Sequence, residues 1–159
     1  MRLTIDWLWF ALVFLTPGIA FAHCDIPCGI YSPWIATLAA KTVWTMVKKM
    51  LDLKTPADHA PDAEIHAYHN TISRMARVKE DHAELCKREL QILWSDYFKP
   101  EHLTMFPQLH ETFWTALKLC SKNKQNVDEQ AAASLQDTVA NIANMFDQAE
   151  QAKKVAAKA

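Results

Sequence analysis

Glycine is almost absent from this chain. It occurs twice in 159 residues, and Gly18 lies in the apolar amino-terminal segment, so Gly29 is the only glycine of the body. Because β-proteins use glycine in tight hairpin turns, this scarcity favours helices. An excess of one charge is also absent, since 17 basic and 18 acidic side chains leave a formal net charge of −1. That balance points neither to nucleic acid nor to a membrane surface as a partner.

The common cysteine motifs are missing as well. Cys24 and Cys28 are four positions apart, so they do not form the C-x-x-C of thioredoxin-like proteins, and no C-x-x-C-H marks a c-type haem. No second cysteine pair of this kind completes a zinc ribbon. Cys86 and Cys120 stand alone on helical stripes, where we expect buried thiols that pack as small apolar residues. A disulfide between these two is the alternative.

The first 22 residues have the features of a cleavable leader. An apolar run ends at Ala22 and is too short for a comfortable membrane span, which needs about 20 residues. Ala20 and Ala22 are small residues at the positions expected before a leader-peptidase cut. We therefore predict a leader over 1–22 and one domain over 23–159, with no membrane attachment after processing. An uncleaved anchor is the alternative.

Apolar residues recur at spacings of three and four along four segments of the body, as in amphipathic helices. We predict helices over about 33–53, 62–99 and 106–122, and a fourth that passes through 135–149 and fades into a tail rich in Lys and Ala. Ser32 and Asp62 suit the N-caps of the first two. Short connectors between amphipathic helices predict an all-α fold, an antiparallel four-helix bundle.

Several tryptophans exceed the obvious needs of one small core. They lie at Trp34, Trp44, Trp94 and Trp114. Exposed apolar patches usually mark interfaces, so subunit contacts are one interpretation, and simple core filling is the other.

The residues that follow the leader bring metal donors together. A cut before His23 frees its α-amine beside its imidazole, while Cys24 and Cys28 supply thiolates. The amine, the ionised amide of Cys24 and the two sulfurs form a planar set, which favours nickel or copper over tetrahedral zinc. Pro27 and Gly29 let the chain curl into a hook around the ion. A disulfide between the cysteines is the alternative in an exported chain.

The stretch 23–31, H-C-D-I-P-C-G-I-Y, resembles the nickel hook of the nickel-containing superoxide dismutases, whose pattern is H-C-x-x-P-C-G-x-Y. The stretch 93–100, L-W-S-D-Y-F-K-P, is similar to a second block of that family. The resemblance implies an enzyme that disproportionates superoxide to dioxygen and hydrogen peroxide. It also implies one nickel ion per subunit, cycling between Ni(II) and Ni(III), and a homohexamer.

The resemblance assigns roles to single residues. The metal ligands would be His23, through amine and imidazole, Cys24, through amide nitrogen and sulfur, and Cys28, through sulfur. It places Tyr31 and Asp25 in a small-anion pocket, with Tyr97 supporting it and Lys99 attracting the anion. It also implies a cis bond between Ile26 and Pro27, which costs only about 0.5–1 kcal/mol.

The chain departs from the family pattern where two residues usually hold the axial imidazole. Ala39 stands in place of a glutamate on the first helix and His82 in place of an arginine on the second. We expect His82, with Glu80 or Lys79 nearby, to replace that arginine as the partner of His23. The alternative is a core histidine that binds a carbonyl of its own helix.

Other function classes and compartments stay open at the level of sequence. A carrier of nickel or copper would share the hook, and a disulfide-stapled structural bundle would share the fold. The apolar leader favours export to the periplasm or the exterior. Some members of the family instead carry a propeptide that a peptidase removes in the cytoplasm.

Overall fold

Four α-helices dominate the computed structural model, which describes residues 29–157. They are α1 (Trp34–Asp52), α2 (Asp62–Ile92), α3 (Leu109–Gln125) and α4 (Glu129–Ala156). A π-helical turn, Leu93–Tyr97, and a 3₁₀ turn, Pro100–Thr104, connect α2 to α3. No strand occurs within 29–157. The predicted all-α fold is confirmed, and Tyr31 is the first residue of the unit that contains the bundle.

Each helix packs against the next one along the chain, and α1 also packs against α4. The four helices therefore form a closed ring around one core, as in up-and-down bundles with short connectors. The small residues of α1 allow close approach of its neighbours, since Ala36, Ala40 and Val43 are fully buried. The largest fully buried side chains of the core are Phe113, Leu90, Leu109, Leu135 and Ile142.

The helix ends differ from the sequence expectations in three places. The second helix does not remain α-helical to Lys99, because the backbone widens into the π-helical turn after Ile92. The third begins at Leu109 rather than near Phe106, since the 3₁₀ turn occupies part of the connector. The fourth does not fade after Ala149 but continues to Ala156, and this last stretch carries residues of the candidate site.

A side chain accepts a backbone N–H at the starts of α1 and α4, and of the two acceptors, Ser32 and Asp128, only Ser32 was predicted. The N-cap position of α1 is itself Pro33. The backbone N–H of Trp34 donates to the Ser32 hydroxyl at 3.2 Å, and that of Ala131 donates to the Asp128 carboxylate at 2.9 Å. Asp62 was expected to cap α2, and this is wrong. It is the first residue of the helix, after Pro61, and makes no capping hydrogen bond. Its charge still lies in the first turn, where the helix dipole favours an acid.

Lys79, which interrupts the apolar stripe of α2, caps the carboxyl end of α3. Its side chain is 2% exposed, and its ammonium donates to the carbonyl of Asn123, to that of Lys124 at 2.9 Å and to that of Asn126 at 3.1 Å. These are carbonyls that the end of a helix leaves without intrahelical donors. Burial lowers the pKa of the Lys79 ammonium, so the three acceptors are needed to hold the charge there.

The tryptophans divide between the two interpretations. Trp44 and Trp94 pack against the core, whereas Trp34 and Trp114 are 66% and 57% exposed in the single chain.

Cys86 and Cys120 are buried free thiols, which confirms the expected small core residues and not the alternative disulfide. Their hydrogen bond, together with burial, raises the pKa of Cys86.

Candidate active site

The predicted nickel ligands lie outside the described residues. These ligands are His23, Cys24 and Cys28. The leader over 1–22, the predicted pocket residue Asp25 and the predicted cis bond between Ile26 and Pro27 also lie outside the described residues. The structure describes the chain from Gly29, which has a φ of +71°, a backbone angle that glycine adopts readily where a chain turns. A Cβ on Gly29 would meet no atom within 4 Å, so backbone conformation, and not lack of space, requires glycine here.

Tyr31 and Tyr97, both predicted pocket residues, meet in the structure. Their ring centroids are 5.7 Å apart and the ring planes are tilted by 59°. That distance lies within the range of favourable aromatic pairs. Tyr97 is 5% exposed, and the half-buried Tyr31 also packs against the core. The fold thus brings into contact two residues, 66 positions apart in the chain, that the resemblance assigns to one pocket.

The π-helical turn places Tyr97 against the bundle. The N–H of Phe98 donates to the carbonyl of Leu93 at 3.0 Å, a five-residue spacing typical of a π-helix, which often appears at functional sites. Tyr97 then packs against Phe146 of α4, with centroids 4.4 Å apart, and edge-to-face against Phe98 at 4.9 Å. This turn coincides with the second block of the sequence resemblance.

A carboxylate and an ammonium of α4 surround the Tyr97 phenol. Its hydroxyl donates to Oε1 of Glu150 at 2.7 Å, and Nζ of Lys153 donates to the same oxygen at 2.8 Å. That Nζ also lies 4.2 Å from the centroid of the Tyr97 ring. Burial, then the hydrogen bond to Glu150, raises the pKa of Tyr97. The hydrogen bonds from Lys153 and Tyr97 lower the pKa of Glu150.

His102, in the 3₁₀ turn of the connector, packs against the same ring. It is buried and stacks on Tyr97, with centroids 5.9 Å apart and planes 12° from parallel. Its Nδ1 accepts the backbone N–H of Lys99 at 2.9 Å, so Nδ1 carries no proton.

The Lys99 side chain itself is exposed and lies at a small cavity of about 110 Å³ beside Trp94 and His110. Its predicted role in attracting an anion stays a prediction.

The resemblance assigns Ala39 and His82 to the positions of the pair that holds the axial imidazole, and this assignment stays a prediction. Ala39 is 1% exposed in the core. His82 is half-buried, and its Nδ1 lies 2.8 Å from the carbonyl oxygen of Val78. Because a carbonyl only accepts, Nδ1 carries the proton and Nε2 is an acceptor in the neutral ring. The alternative of a histidine bound to its own helix is therefore realised, and Nε2 remains available to the role predicted toward His23.

Lys79 does not join His82 in that role, because its ammonium caps α3. Within 29–157, no group of three or more His, Cys, Asp or Glu side chains could hold a metal ion. The helices of this same range include none long and apolar enough to cross a membrane.

Comparison with known proteins decides the family. The family model described as nickel-containing superoxide dismutase matches residues 19–150. This chain belongs to that family. The superoxide dismutase [Ni] of Streptomyces seoulensis is 35% identical over 131 residues, which cover 82% of this chain and 90% of the relative. That of Streptomyces coelicolor is 34% identical over the same length and the same shares.

Solved structures agree in fold. The native nickel superoxide dismutase structure at 1.30 Å is similar with a TM-score of 0.67 and 32% identity, over 81% of this chain and 99% of that one. A nickel superoxide dismutase structure with nickel ligation of the oxidised state has a TM-score of 0.67 and 33% identity, with the same coverage. Membership in the nickel superoxide dismutases confirms the predicted enzyme class, the nickel cofactor and the bundle.

Sequence reasoning missed three side chains of this dismutase that contact Tyr97: His102, Glu150 and Lys153. Glu150 and Lys153 carried a faint signal, since an acid and a base at i, i+3 on a helix often pair. No motif in the sequence distinguishes His102. Its position three residues after Lys99 in a connector was the only sign that it could bind the backbone there.

Proposed function

We propose that this enzyme disproportionates superoxide at a nickel ion held by the amino terminus that removal of 1–22 exposes. The ligands are the amine and imidazole of His23, the amide nitrogen and sulfur of Cys24, and the sulfur of Cys28. The donor set fits the ion, because planar nitrogen and thiolate coordination suits nickel. When bound, nickel supplies a one-electron Ni(III)/Ni(II) couple, which these electron-rich donors bring into range.

The contact between Tyr31 and Tyr97 supports this proposal most directly. A carrier of metal has no need of a second phenol, that of Tyr97, against Tyr31 at the end of the hook motif. In an enzyme they have a use, since they wall off a small pocket. The two ring centroids are 5.7 Å apart and Tyr97 is buried, so the phenols are in contact as this use requires.

The protein side chains have binding and proton-handling tasks. One superoxide loses an electron and leaves as dioxygen, and a second gains an electron and two protons and leaves as hydrogen peroxide. Tyr31 and Asp25 line the pocket that receives the anion, Tyr97 holds Tyr31 in place, and Lys99 attracts the anion from solvent. His82 accepts a hydrogen bond from the His23 imidazole through Nε2 and so orients it.

The experiment that tests the proposal compares two amino termini. One protein begins at His23, and the other retains Ala22 and so lacks the free amine at the metal. The first should bind one nickel per chain, show a rhombic Ni(III) electron paramagnetic resonance signal and remove superoxide. The second should show neither the Ni(III) signal nor the removal of superoxide. Equal activity from both would overturn the proposed ligand set.

We also propose that the bundles assemble into a homohexamer. The exposed Trp34 and Trp114 support an assembly, because large exposed aromatic side chains are typical of interfaces. Light scattering on the mature protein gives the mass directly. A monomer at micromolar concentration would refute the hexamer without touching the chemistry.

The compartment follows from the leader in this proposal. A leader peptidase cuts before His23, and the mature enzyme works in the periplasm or outside the cell. The alternative is a propeptide removed in the cytoplasm. Fractionation of the producing cells, with amino-terminal sequencing of each fraction, distinguishes the two.

A further inference from the structure

We propose that Glu150 and Lys153, on the last turns of α4, are positioning residues for Tyr97. Glu150 accepts the hydrogen bond that the phenol donates and Lys153 covers the ring, so that Tyr97 faces its other surroundings as a hydrogen-bond acceptor and not as a donor. The inference rests on the proposed function, because it assigns a state to a residue of the proposed anion pocket.

The direction of the hydrogen bond is fixed by the charges. Glu150 is ionised, since two donors lower the pKa of its carboxyl, and an ionised carboxylate can only accept. The Tyr97 hydroxyl therefore donates its single proton across the 2.7 Å contact. A distance of that size is typical of a charge-assisted hydrogen bond, which is stronger than a neutral one.

Lys153 makes the arrangement stable in two ways. Its Nζ donates to the same Glu150 oxygen at 2.8 Å, which neutralises the carboxylate beside the buried ring. It also stands 4.2 Å from the centroid of Tyr97, within reach of a cation–π attraction. The ring is then held by a cation on one side and by the aromatic contacts of Phe146 and His102 elsewhere.

The charged and titratable groups around Tyr97 come from three parts of the chain. Glu150, Lys153 and Asp147 belong to α4, His102 to the 3₁₀ turn and Tyr31 to the segment before α1. Of these, only Glu150 accepts a hydrogen bond from the phenol in the described part of the chain. Loss of its carboxylate would release the phenol proton toward the pocket, and Tyr97 would become a donor to any anion bound there.

Loss of the Glu150 carboxylate should change the binding of a small anion in the opposite direction to a general destabilisation of the fold. A released Tyr97 proton should hold an inert anion such as azide more tightly, while the misplaced phenol slows turnover. A variant that was merely destabilised would bind azide less well or equally well. The two effects together therefore identify positioning through Tyr97.

The test uses the nickel-loaded full enzyme and measures superoxide removal per bound nickel. Glu150→Ala and Tyr97→Phe should each lower the rate about three- to tenfold, and the double variant should be no slower than Tyr97→Phe alone. Glu150→Gln keeps an acceptor oxygen and should stay within about twofold of the wild type. Glu150→Ala should also show tighter azide inhibition, whereas Tyr97→Phe/Glu150→Ala should not.

Glu129→Gln is the matched control. Glu129 also lies on α4 and pairs with Lys48 at 2.9 Å, far along the helix from Tyr97. It should leave rate and azide inhibition unchanged. The inference is overturned if Glu150→Ala matches the wild type, or if its effect multiplies fully with that of Tyr97→Phe. Inactivity of the nickel-loaded wild type would instead overturn the proposed function and is measured first.

Discussion

Lys79 of α2 donates to the carbonyl of Lys124 at 2.9 Å and so ties one helix to the carboxyl end of another. We expect Lys79→Met to lower the free energy of unfolding by about 1–3 kcal/mol, because buried carbonyls lose their donor. Urea unfolding followed by circular dichroism measures this. Lys41→Met on the exposed face of α1 is the control and should change little. Equal stabilities of the two variants would show that water replaces the ammonium at no cost.

Gly29 should matter through its backbone angle alone. Its φ of +71° is unfavourable for residues with a Cβ, by about 1–2 kcal/mol. If the hook needs this angle, Gly29→Ala should weaken nickel binding by about tenfold, measured by competition with a chelator on protein that begins at His23. Gly29→Asn should lose less, because asparagine tolerates positive φ better, and Gly29→Val should lose most. The same affinity in all three would contradict the argument.

His82 should influence the metal without being a ligand. We expect His82→Ala to lower activity or nickel affinity by roughly 10–100-fold, as loss of a partner to a metal-bound imidazole typically does. The Ni(III) electron paramagnetic resonance signal should change as well. His66→Ala, on the same helix but exposed, should leave both unchanged. Unaltered activity and spectrum in His82→Ala would mean that the hydrogen bond to Val78 is its whole function.

Asp128 should make part of the stability depend on pH. The hydrogen bond from Lys122 and that from the Ala131 backbone lower the pKa of this carboxyl below its ordinary value of 3.8. The charged carboxylate therefore stabilises the fold above that value, and the contribution is lost as the pH falls through the depressed pKa. Asp128→Asn keeps an oxygen that caps α4 but cannot titrate. It should lose less stability on acidification than the wild type, as measured by thermal unfolding across this range.

Local patterns were sufficient to predict the helices, and the prediction of the donor set rests on a local pattern as well. The hook donors lie within six consecutive residues, so their chemistry could be argued before any fold was known. The bundle followed from the spacing of apolar residues. The π-helical turn at Leu93–Tyr97 could not be predicted, because its wider hydrogen bond competes with the ordinary helical one only when the ring of Tyr97 finds a place in the core.

Contacts between segments that are distant in the chain could not be predicted from local sequence patterns. Tyr97 and Glu150 are 53 positions apart, and nothing in their local patterns pairs them. Lys79 appeared only as an interruption of an apolar stripe, since the carbonyls that bind it belong to another helix. The family resemblance predicted that Tyr31 and Tyr97 belong to one pocket, but it predicted no role for Glu150 or Lys153.

The π-helical turn makes the length of this segment matter more than its composition. Removing one residue between Ile92 and Phe98 would let this turn relax into regular α-helix, and the side chains within the turn, Tyr97 among them, would change direction. The apolar layers of the bundle could still close, yet the phenol would swing away from its neighbours. We therefore expect homologues that lack one residue in this turn to fold as bundles but to be inactive toward superoxide.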